Sequence, residues 1–316
     1  MKKVLFITDP LSGIKITGDS TYLMLITAFD LGYEIYVTEP KSIFAVGNNA
    51  YANVEKLHLA HGVKDIHSTQ SWYTVVDKSN KYPLTNFDAV YVRNDPPFNM
   101  EYYYLTQILD LAANVGVNVV NNPTLLRNCN EKLTILNFPE LITPTLVAKD
   151  KATILEFIKE QGVCVAKPID LMGGRGIFRI AVDDPNQNAI LESLTDYYTQ
   201  TIMVQKFIPD VVHGDKRIFV IDGEVVEYCL ARIPQNGEIR GNLAVGGRGE
   251  VQQLTDSDKK IASTVAKWLK NKGIMIAGLD VIGTCLTEVN VTSPTSMQQI
   301  YRESGINVAK LILEKI

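Results

Sequence analysis

The sequence lacks the features that mark several common classes of protein. It has only four cysteines, and no two of them have the CxxC spacing of a zinc or redox site. We therefore expect reduced thiols in a cytoplasmic protein rather than a disulfide framework. No apolar run is long enough to cross a membrane. The 31 basic and 35 acidic residues give a net charge of −4, without the positive excess that binding a nucleic-acid backbone needs.

The N-terminal third has the hydrophobic pattern of a parallel α/β sheet. Residues 4–8 form a continuous apolar run, as in strands that are buried on both faces. A helix that begins at Asp19 or Ser20 follows, and then a second strand at 34–38. This β-α-β start predicts a doubly wound sheet in an α/β fold. We assign residues 1–122 to this first domain.

The rest of the chain has the pattern of two further units with antiparallel strands. We assign residues 123–202 to the first unit and residues 203–316 to the second. A long segment at 233–249, rich in glycine and polar residues, is predicted to be a flexible loop of the second unit. The other predicted elements are a helix at 131–138, strands at 163–167 and 177–181, a helix at 256–272 capped by Thr255, and one closing helix.

A hairpin near the C-terminus is the most informative part of the chain. Two short apolar strands surround a predicted turn at Gly283-Thr284-Cys285. If the hairpin is symmetric about Thr284, Asp280 lies opposite Glu288, and Asn290 lies on the same face as Glu288. Two opposed carboxylates in a half-buried sheet would repel, and a divalent cation removes that cost. Because all three side chains offer oxygen, the set favours Mg²⁺ over zinc or copper, with nucleotide phosphates as further ligands.

A second group of residues has the character of a phosphate site. Lys167 ends a buried strand and is followed by a turn that contains Gly173 and Gly174. Glycines let the backbone approach phosphate oxygens, and a lysine nearby adds a positive charge. The pattern precedes a strand rather than a helix, so it is not a P-loop. Lys132 is a second candidate cation, although alone it resembles an ordinary surface lysine.

A strand and a loop complete the candidate site. The segment from Gln205 through Lys206, Phe207 and Ile208 offers an apolar slot and backbone groups of the kind that bind adenine, but an ordinary hinge strand has the same sequence. Four arginines follow in one region. The loop between Arg232 and Arg248 contains Arg240 and is rich in glycine. Flexible backbone together with arginine side chains favours a lid that closes over anions. These arginines are Arg217, Arg232, Arg240 and Arg248.

Together these features resemble the ATP-grasp ligases, and within them the bacterial glutathione synthetases. The resemblance covers essentially the whole chain and implies a two-lobed ATP-grasp domain with antiparallel sheets behind the N-terminal domain. The segments that carry it are Arg93-Asn94-Asp95-Pro96-Pro97-Phe98, Asn130-Glu131-Lys132, Gly214-Asp215-Lys216-Arg217, Arg240-Gly241-Asn242-Leu243 and Glu288-Val289-Asn290-Val291-Thr292-Ser293-Pro294.

The resemblance implies a reaction, cofactors and partners. The family joins γ-glutamylcysteine to glycine through an acyl phosphate, and converts ATP to ADP and phosphate. It implies two Mg²⁺ ions, with Mn²⁺ as a substitute, and a cytoplasmic homotetramer that binds neither nucleic acid nor membrane. The loop 233–249 would shield the acyl phosphate from water.

The resemblance also implies roles for individual residues. Arg217 and Arg240 would act in catalysis. The ATP-binding residues would be Lys132, Lys167, Gly173, Gly174, Gln205, Lys206, Phe207, Ile208 and Asp215, the last on the ribose side. The substrate-binding residues would be Arg93, Arg217, Arg232, Arg248, Asn290, Thr292 and Ser293. The metal ligands would be Asp280, Glu288 and Asn290.

Two alternatives remain open at this point. The first is another ATP-grasp ligase, such as one that joins D-alanines or adds glutamates to a protein tail. The number of arginines favours a substrate with more negative charge than D-alanine. The second alternative is a nucleotide-binding regulatory module without turnover, which would have no need to retain Lys167, Asp280, Glu288 and Asn290 together.

Overall fold

The computed structural model describes residues 1–66, 71–235, 237–243 and 246–316. Three sheets with flanking helices make up the described part of the chain. No helix there combines the length and the apolar character that crossing a membrane requires. The four cysteines are all free thiols, of which three are buried.

The N-terminal sheet has a parallel centre and antiparallel strands at one side. Its strand order is β3-β4-β2-β1-β6-β7, with β5 paired to β4, and the order reverses between β1 and β6. The elements are β1 (Lys3–Ile7), α1 (Ser20–Asp30), β2 (Glu34–Thr38), β3 (Ile43–Val46), β4 (Asn49–Leu59), β5 (Tyr73–Pro83), β6 (Ala89–Val92), α2 (Met100–Ala113), β7 (Asn118–Val120) and α3 (Pro123–Asn128).

Helices cover both faces of this sheet, as its apolar sequence predicts. Val4 and Phe6 of β1 pack in the cluster that contains α1, whereas Leu5 and Ile7 pack in the cluster that contains α2. Asp19 caps α1, since its carboxylate accepts hydrogen bonds from two backbone N–H groups of the first turn. The prediction of a doubly wound parallel sheet is therefore confirmed.

The second sheet is antiparallel and has the order β10-β9-β11-β8. Its elements are β8 (Thr145–Ala148), α4 (Lys151–Gln161), β9 (Val163–Pro168), β10 (Phe178–Ala181), α5 (Gln187–Leu194) and β11 (Ile202–Lys206). The short helix predicted near 131–138 is present as a 3₁₀ helix at Leu133–Asn137. The side chain of Asn130 accepts hydrogen bonds from the N–H groups of Lys132 and Leu133 at its start, and Pro139 disfavours helical backbone at the residue before it.

The third sheet is antiparallel and has the order β14-β13-β12-β15-β16. Its elements are β12 (Asp215–Ile221), β13 (Glu224–Ile233), β14 (Arg248–Gln253), α6 (Asp256–Lys272), β15 (Ile276–Ile282), β16 (Cys285–Asn290), α7 (Met297–Ser304) and α8 (Val308–Leu313). Thr255 and Asp258 form the capping box of α6. The single closing helix of the prediction is two helices, since Gly305, with a φ of 76°, ends α7 and Asn307 caps α8.

Two turns of this sheet differ from their predictions. Asp280 does lie opposite Glu288, but an irregularity after Asp280 shifts the register, and Ile282 pairs with Cys285. The turn therefore contains only Gly283 and Thr284, and the expected symmetry about Thr284 is wrong. At the other end, Ile233 and Arg248 are the last and first residues of paired strands, so the long loop spans 234–247. Its residues 236, 244 and 245, which include Ala244 and Val245 of the predicted lid, lie outside the described residues.

Candidate active site

One face of the third sheet carries the predicted metal ligands. Arg217 of β12 lies opposite Asp280 of β15, and Asp280 lies opposite Glu288 of β16. Because paired residues point to the same face, these three side chains form a row across the sheet. Asn290, two residues beyond Glu288, lies on the same face. We call Arg217, Asp280, Glu288 and Asn290 the carboxylate row.

Two arginines hold Asp280. Arg217 donates from Nε to Oδ1 at 2.6 Å and from Nη2 to Oδ2 at 3.1 Å, which is a bidentate pair. Arg232 Nη2 lies 3.0 Å from Asp280 Oδ2. Burial alone would raise the pKa of Asp280, but the two guanidinium groups more than offset it, so the pKa lies below its usual range. Asp280 is therefore ionised at neutral pH.

Arg232 is shared with a second carboxyl group, that of Asp215. The two residues are partners on β12 and β13, and Arg232 Nη2 lies 2.5 Å from Asp215 Oδ2. Burial raises the pKa of Asp215 to about 7, against the opposing charge of Arg232 and with further help from nearby Asp280. One arginine thus lies between a carboxylate that is ionised at neutral pH and a carboxyl that titrates near neutrality.

Two lysines from outside the third sheet meet Glu288. Lys167, near the end of β9, has its Nζ 3.3 Å from Glu288 Oε1. Lys132 Nζ lies 3.7 Å from the same oxygen and donates to the carbonyl of Leu171 at 2.5 Å. Burial would raise the pKa of Glu288, but the two ammonium groups hold it below its usual range. The expected phosphate-binding lysines therefore lie beside the expected metal ligand.

Glu131 is a residue of this site that the sequence did not single out. Its Oε1 accepts hydrogen bonds from the backbone N–H groups of Val291 and Thr292 at 3.0 Å, and from the hydroxyl of Thr292 at 2.7 Å. Its carbonyl accepts the N–H of Val289 at 2.9 Å. Glu131 thus fixes the backbone on both sides of Asn290. The sequence offered one indication of this role, because Glu131 directly precedes the candidate residue Lys132.

The oxygen donors of the carboxylate row fit a magnesium ion. Asp280 and Glu288 are anionic, and Asn290 donates from Nδ2 to the carbonyl of Gly278 at 3.1 Å, which fixes its amide. Nowhere in the described ranges do three or more His, Cys, Asp or Glu side chains form a metal-binding group. Two carboxylates and an amide cannot fill the six coordination positions of Mg²⁺. Magnesium sites that also bind phosphate groups typically have such an incomplete set of protein ligands.

The cavity beside the row has a volume of about 420 Å³ and lies between the second and third sheets. Most of the predicted site residues line it. They are Lys132, Lys167, Gly173, Gly174, Gln205, Lys206, Phe207, Ile208, Asp215, Arg217, Arg232, Arg240, Asp280, Glu288, Asn290, Thr292 and Ser293.

The apolar part of the cavity agrees with the predicted adenine slot. Phe207 and Ile208 line it together with Val165 and Ile177 from the neighbouring strands. The N–H of Phe207 already donates to the carbonyl of Val163, so that group is committed to the protein. The side chain of Gln205 is likewise committed, because its Nε2 donates to Thr145 Oγ1 at 3.0 Å.

The glycine turn and the long loop meet over the cavity. Arg240 donates from Nη1 to the carbonyl of Gly174 at 3.3 Å, and it pairs with Glu238 at 2.5 Å. Gly173 and Gly174 have φ values of 68° and 81°, which glycine adopts without strain. A Cβ at Gly174 would lie 2.8 Å from Asn242 Oδ1. The positive φ therefore favours glycine at this position, whereas a small shift of the Asn242 side chain would relieve the contact.

Two predicted substrate residues do not line the cavity. Arg248 is exposed and pairs with Glu250 at 2.8 Å. Arg93 is buried behind the cavity wall, where it donates to Thr21 Oγ1 and to the carbonyl of Pro294, both at 3.2 Å. Asp95, two residues after Arg93, does line the cavity. We call the part that is lined by Asp95, Pro96 and residues 293–296 the Asp95 end.

The chain is similar along its whole length to bacterial glutathione synthetases. Models of the prokaryotic glutathione synthetase family match residues 2–127, with the N-terminal domain, and residues 131–305, with the ATP-grasp domain. A glutathione synthetase of Neisseria meningitidis serogroup A is 47% identical over 314 residues, which cover 99% of this chain and 98% of the relative. That of Escherichia coli K12 is 41% identical over 316 residues, which cover 100% and 98%.

Solved structures of ATP-grasp enzymes share the fold. A D-cycloserine synthetase matches with a TM-score of 0.68 at 12% identity, over 99% of each chain. The ATP-grasp ligase PsnB, solved with a minimal precursor, matches with a TM-score of 0.62 at 14% identity, over 100% of this chain and 98% of that one. These identities speak for the fold alone, whereas the family models and the close relatives are more specific. The chain belongs to the prokaryotic glutathione synthetase family.

Proposed function

We propose that this protein is an ATP-dependent ligase that joins γ-glutamylcysteine to glycine and releases glutathione, ADP and phosphate. The observation that carries the proposal is the convergence of Lys132 and Lys167 on Glu288, beside the bidentate pair of Arg217 and Asp280. Together these side chains form a charged wall that suits ATP phosphates and a carboxylate substrate. Membership of the family supports the same substrates.

The reaction has two steps that keep atoms and charges in balance. A cysteinyl carboxylate oxygen attacks the γ-phosphorus of ATP, the bond to the bridging oxygen breaks, and ADP leaves. The neutral amine of glycine then attacks the acyl carbon, phosphate leaves with the bonding electrons, and the amine loses a proton. Lys132 and Lys167 bind and orient the phosphates, while Arg217 and Arg232 orient the carboxylate and stabilise negative charge.

The metal and nucleotide assignments follow the same geometry. Asp280, Glu288 and Asn290 would hold two Mg²⁺ ions, or Mn²⁺ in their place, which neutralise phosphate charge when bound. The slot beside Lys206, Phe207 and Ile208 would take the adenine. Gly173 and Gly174 would lie over the phosphates. The carboxylate of Asp215, which pairs with Arg232, would lie towards the ribose.

The remaining residues would bind the substrates and exclude water. Arg93 would bind a carboxylate of the dipeptide, and Thr292, Ser293 and Arg248 would help to hold glycine. Because Arg248 pairs with Glu250 on the surface, its role requires the loop to move towards the cavity. Arg240, which contacts the glycine turn, would close the loop over the acyl phosphate and protect it from hydrolysis.

The assembly and location of the protein also follow from the family resemblance. We propose a homotetramer that works in the cytoplasm. The free thiols of Cys129, Cys164, Cys229 and Cys285 support a reducing compartment. Sedimentation of the purified protein tests the first proposal, and fractionation of cells tests the second.

The decisive experiment measures ADP and glutathione from purified protein with ATP, Mg²⁺ and γ-glutamylcysteine, with glycine added or omitted. We expect both products in equal amounts when glycine is present. Without glycine, ADP should not exceed about one molecule per active site, because the acyl phosphate waits for its acceptor. A pair of D-alanines serves as the control substrate. Continuous ADP release with D-alanine, and none with the dipeptide, would overturn the proposed substrates while leaving the fold assignment intact.

A further inference from the structure

The N-terminal domain supplies an acidic side chain to the cavity that no step of the proposed reaction uses. Asp95 follows β6 and lies where the strand order of the parallel sheet reverses, the place at which such sheets bind ligands. It is exposed, yet it lines the cavity. Its backbone N–H donates to Asp9 Oδ2 at 3.0 Å, which brings a second carboxylate close.

The charge around Asp95 is incompletely compensated. The protein atoms around the cavity exclude part of the solvent from Asp95, and this, together with Asp9 and Asp19, raises its pKa against the charge of Arg93 and a hydrogen bond with Ser293. Three acids therefore face one arginine at this end. The contrast with the carboxylate row is clear, because Asp280 and Glu288 each have two cationic partners within 4 Å.

Donors beside Asp95 are also left without partners. Nη1 of Arg93 and the hydroxyl of Tyr102 are both buried and have no hydrogen-bond partner among the described residues. Each of these side chains is less than a tenth exposed, and unsatisfied polar groups at such depth are unusual. A ligand with one positive and one negative group, close together, would pair with Asp95 in the cavity and, once the wall at Pro294 moves aside, with Arg93 behind it.

The distance to the reacting centre suits the dipeptide. Arg217 donates to the carbonyl of Thr295 at 3.3 Å, and Arg93 donates to the carbonyl of its neighbour Pro294. Adjacent residues are about 3.8 Å apart, so the two guanidinium nitrogens that donate these bonds lie at most about 10 Å apart. Extended γ-glutamylcysteine spans about 8 Å from its cysteinyl carboxyl carbon to its amino nitrogen, by the same bond lengths.

We propose that the Asp95 carboxylate binds the α-ammonium group of the γ-glutamyl residue and so selects substrates that carry a free amino-acid head. This inference rests on the proposed function, and it extends the role given above to Arg93, which would bind the carboxylate of the same head. Asp95 is then a specificity residue of the N-terminal domain, remote from the atoms that react.

The test compares two substrates that differ only in the amino group, γ-glutamylcysteine and glutarylcysteine. For the wild-type protein we expect kcat/KM to be roughly 10- to 100-fold lower with glutarylcysteine. This factor corresponds to the usual free-energy contribution of a hydrogen bond to a charged group. Asp95→Asn should lose a similar factor with γ-glutamylcysteine only, so that its preference between the two substrates nearly disappears. Asp183→Asn, which removes an exposed carboxylate elsewhere, should keep the wild-type ratio.

Each outcome supports or overturns the role of Asp95. A wild-type ratio near one, or a full ratio in Asp95→Asn, would overturn it. A rise in the KM of glycine without a change in the ratio would also overturn it, because the carboxylate would then bind the other amine. Asp95→Ser is measured in parallel in case Asp95→Asn does not fold, and ADP affinity checks folding in both. If the wild-type protein makes no glutathione from γ-glutamylcysteine, the proposed function itself fails.

Discussion

The carboxylates at the two ends of the cavity differ in how many cationic partners they have. In the carboxylate row, Asp280 and Glu288 are each surrounded by two cationic side chains, and burial does not prevent their ionisation. At the Asp95 end, acids outnumber the single arginine, and Arg93 Nη1 lacks a partner. A balanced group of charges keeps its shape without ligand, whereas an unbalanced one gains most when a ligand of matching charge binds.

This difference agrees with two separate tasks. In the proposed reaction the row would keep its geometry while phosphate groups arrive and leave, and preorganised charges reduce the reorganisation that this requires. The Asp95 end would have only to recognise one part of a substrate. The predictions below test this division of tasks, beginning with the change that should have the largest effect.

Replacing Glu288 with Gln should abolish turnover. The change removes a negative charge that pairs with Lys132 and Lys167 and that would bind the metal. We expect kcat to fall by a factor of about 10³ or more, as for the loss of a preorganised charge in other active sites. The rate of ADP release, together with the dependence of nucleotide affinity on Mg²⁺, measures it.

A matched control is Glu250→Gln, because Glu250 also pairs with a cation but lies on the surface. It should leave the rate unchanged. Near-normal turnover in Glu288→Gln would reject the metal assignment and, with it, the idea that the row is the reacting end.

Replacing Arg232 with Ala should damage both stability and substrate binding. Arg232 is 4% exposed and lies between Asp215 and Asp280. Its removal leaves buried carboxylates without one of their partners, which costs about 3–5 kcal/mol in free energy of unfolding. We also expect a higher KM for the dipeptide, with a smaller effect on ATP. Chemical denaturation and steady-state kinetics measure these effects.

Arg248→Ala is the control for this change, since Arg248 forms an exposed pair. It should alter the free energy of unfolding by less than about 1 kcal/mol. An unchanged dipeptide KM in Arg232→Ala would reject the substrate role of Arg232 and leave it as a purely structural residue.

The sequence predicts the row better than it predicts the Asp95 end, for a physical reason. Asp280, Glu288 and Asn290 belong to one hairpin, so the alternation of side chains along strands relates their positions without any tertiary information. The opposition of Asp280 and Glu288 was therefore predictable. The two-residue turn was not, because the register shift after Asp280 depends on the packing of the sheet.

Contacts between distant segments lie beyond such local rules. Glu131 binds the backbone at 291 and 292, about half the chain away, and no periodicity connects these positions. Arg232 presents a similar case, because the sequence indicates a cation but not its bridge between Asp215 and Asp280. The short helix predicted near 131–138 takes the 3₁₀ form for a local reason, since Pro139 and the hydrogen bond from the N–H of Leu133 to Asn130 leave room for little more than one turn.

Protection of the long loop from protease should depend on which end of the cavity is occupied. Arg240 contacts the carbonyl of Gly174 above the row, so ligands that occupy the row should hold the loop closed. At a concentration of ten times the dissociation constant, ATP with the dipeptide should slow tryptic cleavage after Arg240 about tenfold. Mass spectrometry of the early fragments measures it.

The dipeptide alone, which we propose binds at the Asp95 end without nucleotide, is the informative comparison and should protect the loop less. Equal cleavage rates with and without ATP and dipeptide would argue against a lid.

The last effect concerns the charge of Asp215, which lies beside the row, and it appears in the pH dependence of stability. The pKa of Asp215 is raised to about 7 by burial, from an ordinary value of about 3.9. Between these values the native protein holds a proton that the unfolded chain has released, so this group makes the native state less stable as pH rises. Asp215→Asn cannot lose that proton.

The free energy of unfolding of the wild-type protein should therefore fall relative to that of Asp215→Asn between pH 5 and pH 7. The limit for one proton is about 1.4 kcal/mol per pH unit, and because the pKa of about 7 already includes the charge of Arg232 we expect a total of about 2 kcal/mol. Asp280 contributes the opposite slope only at lower pH, because its pKa is lowered. Denaturation curves at both pH values, with Asp183→Asn as the control that should follow the wild type, measure the difference. Parallel curves for the wild type and Asp215→Asn would mean that Asp215 is already ionised at pH 5, and that Arg232 compensates both carboxylates fully.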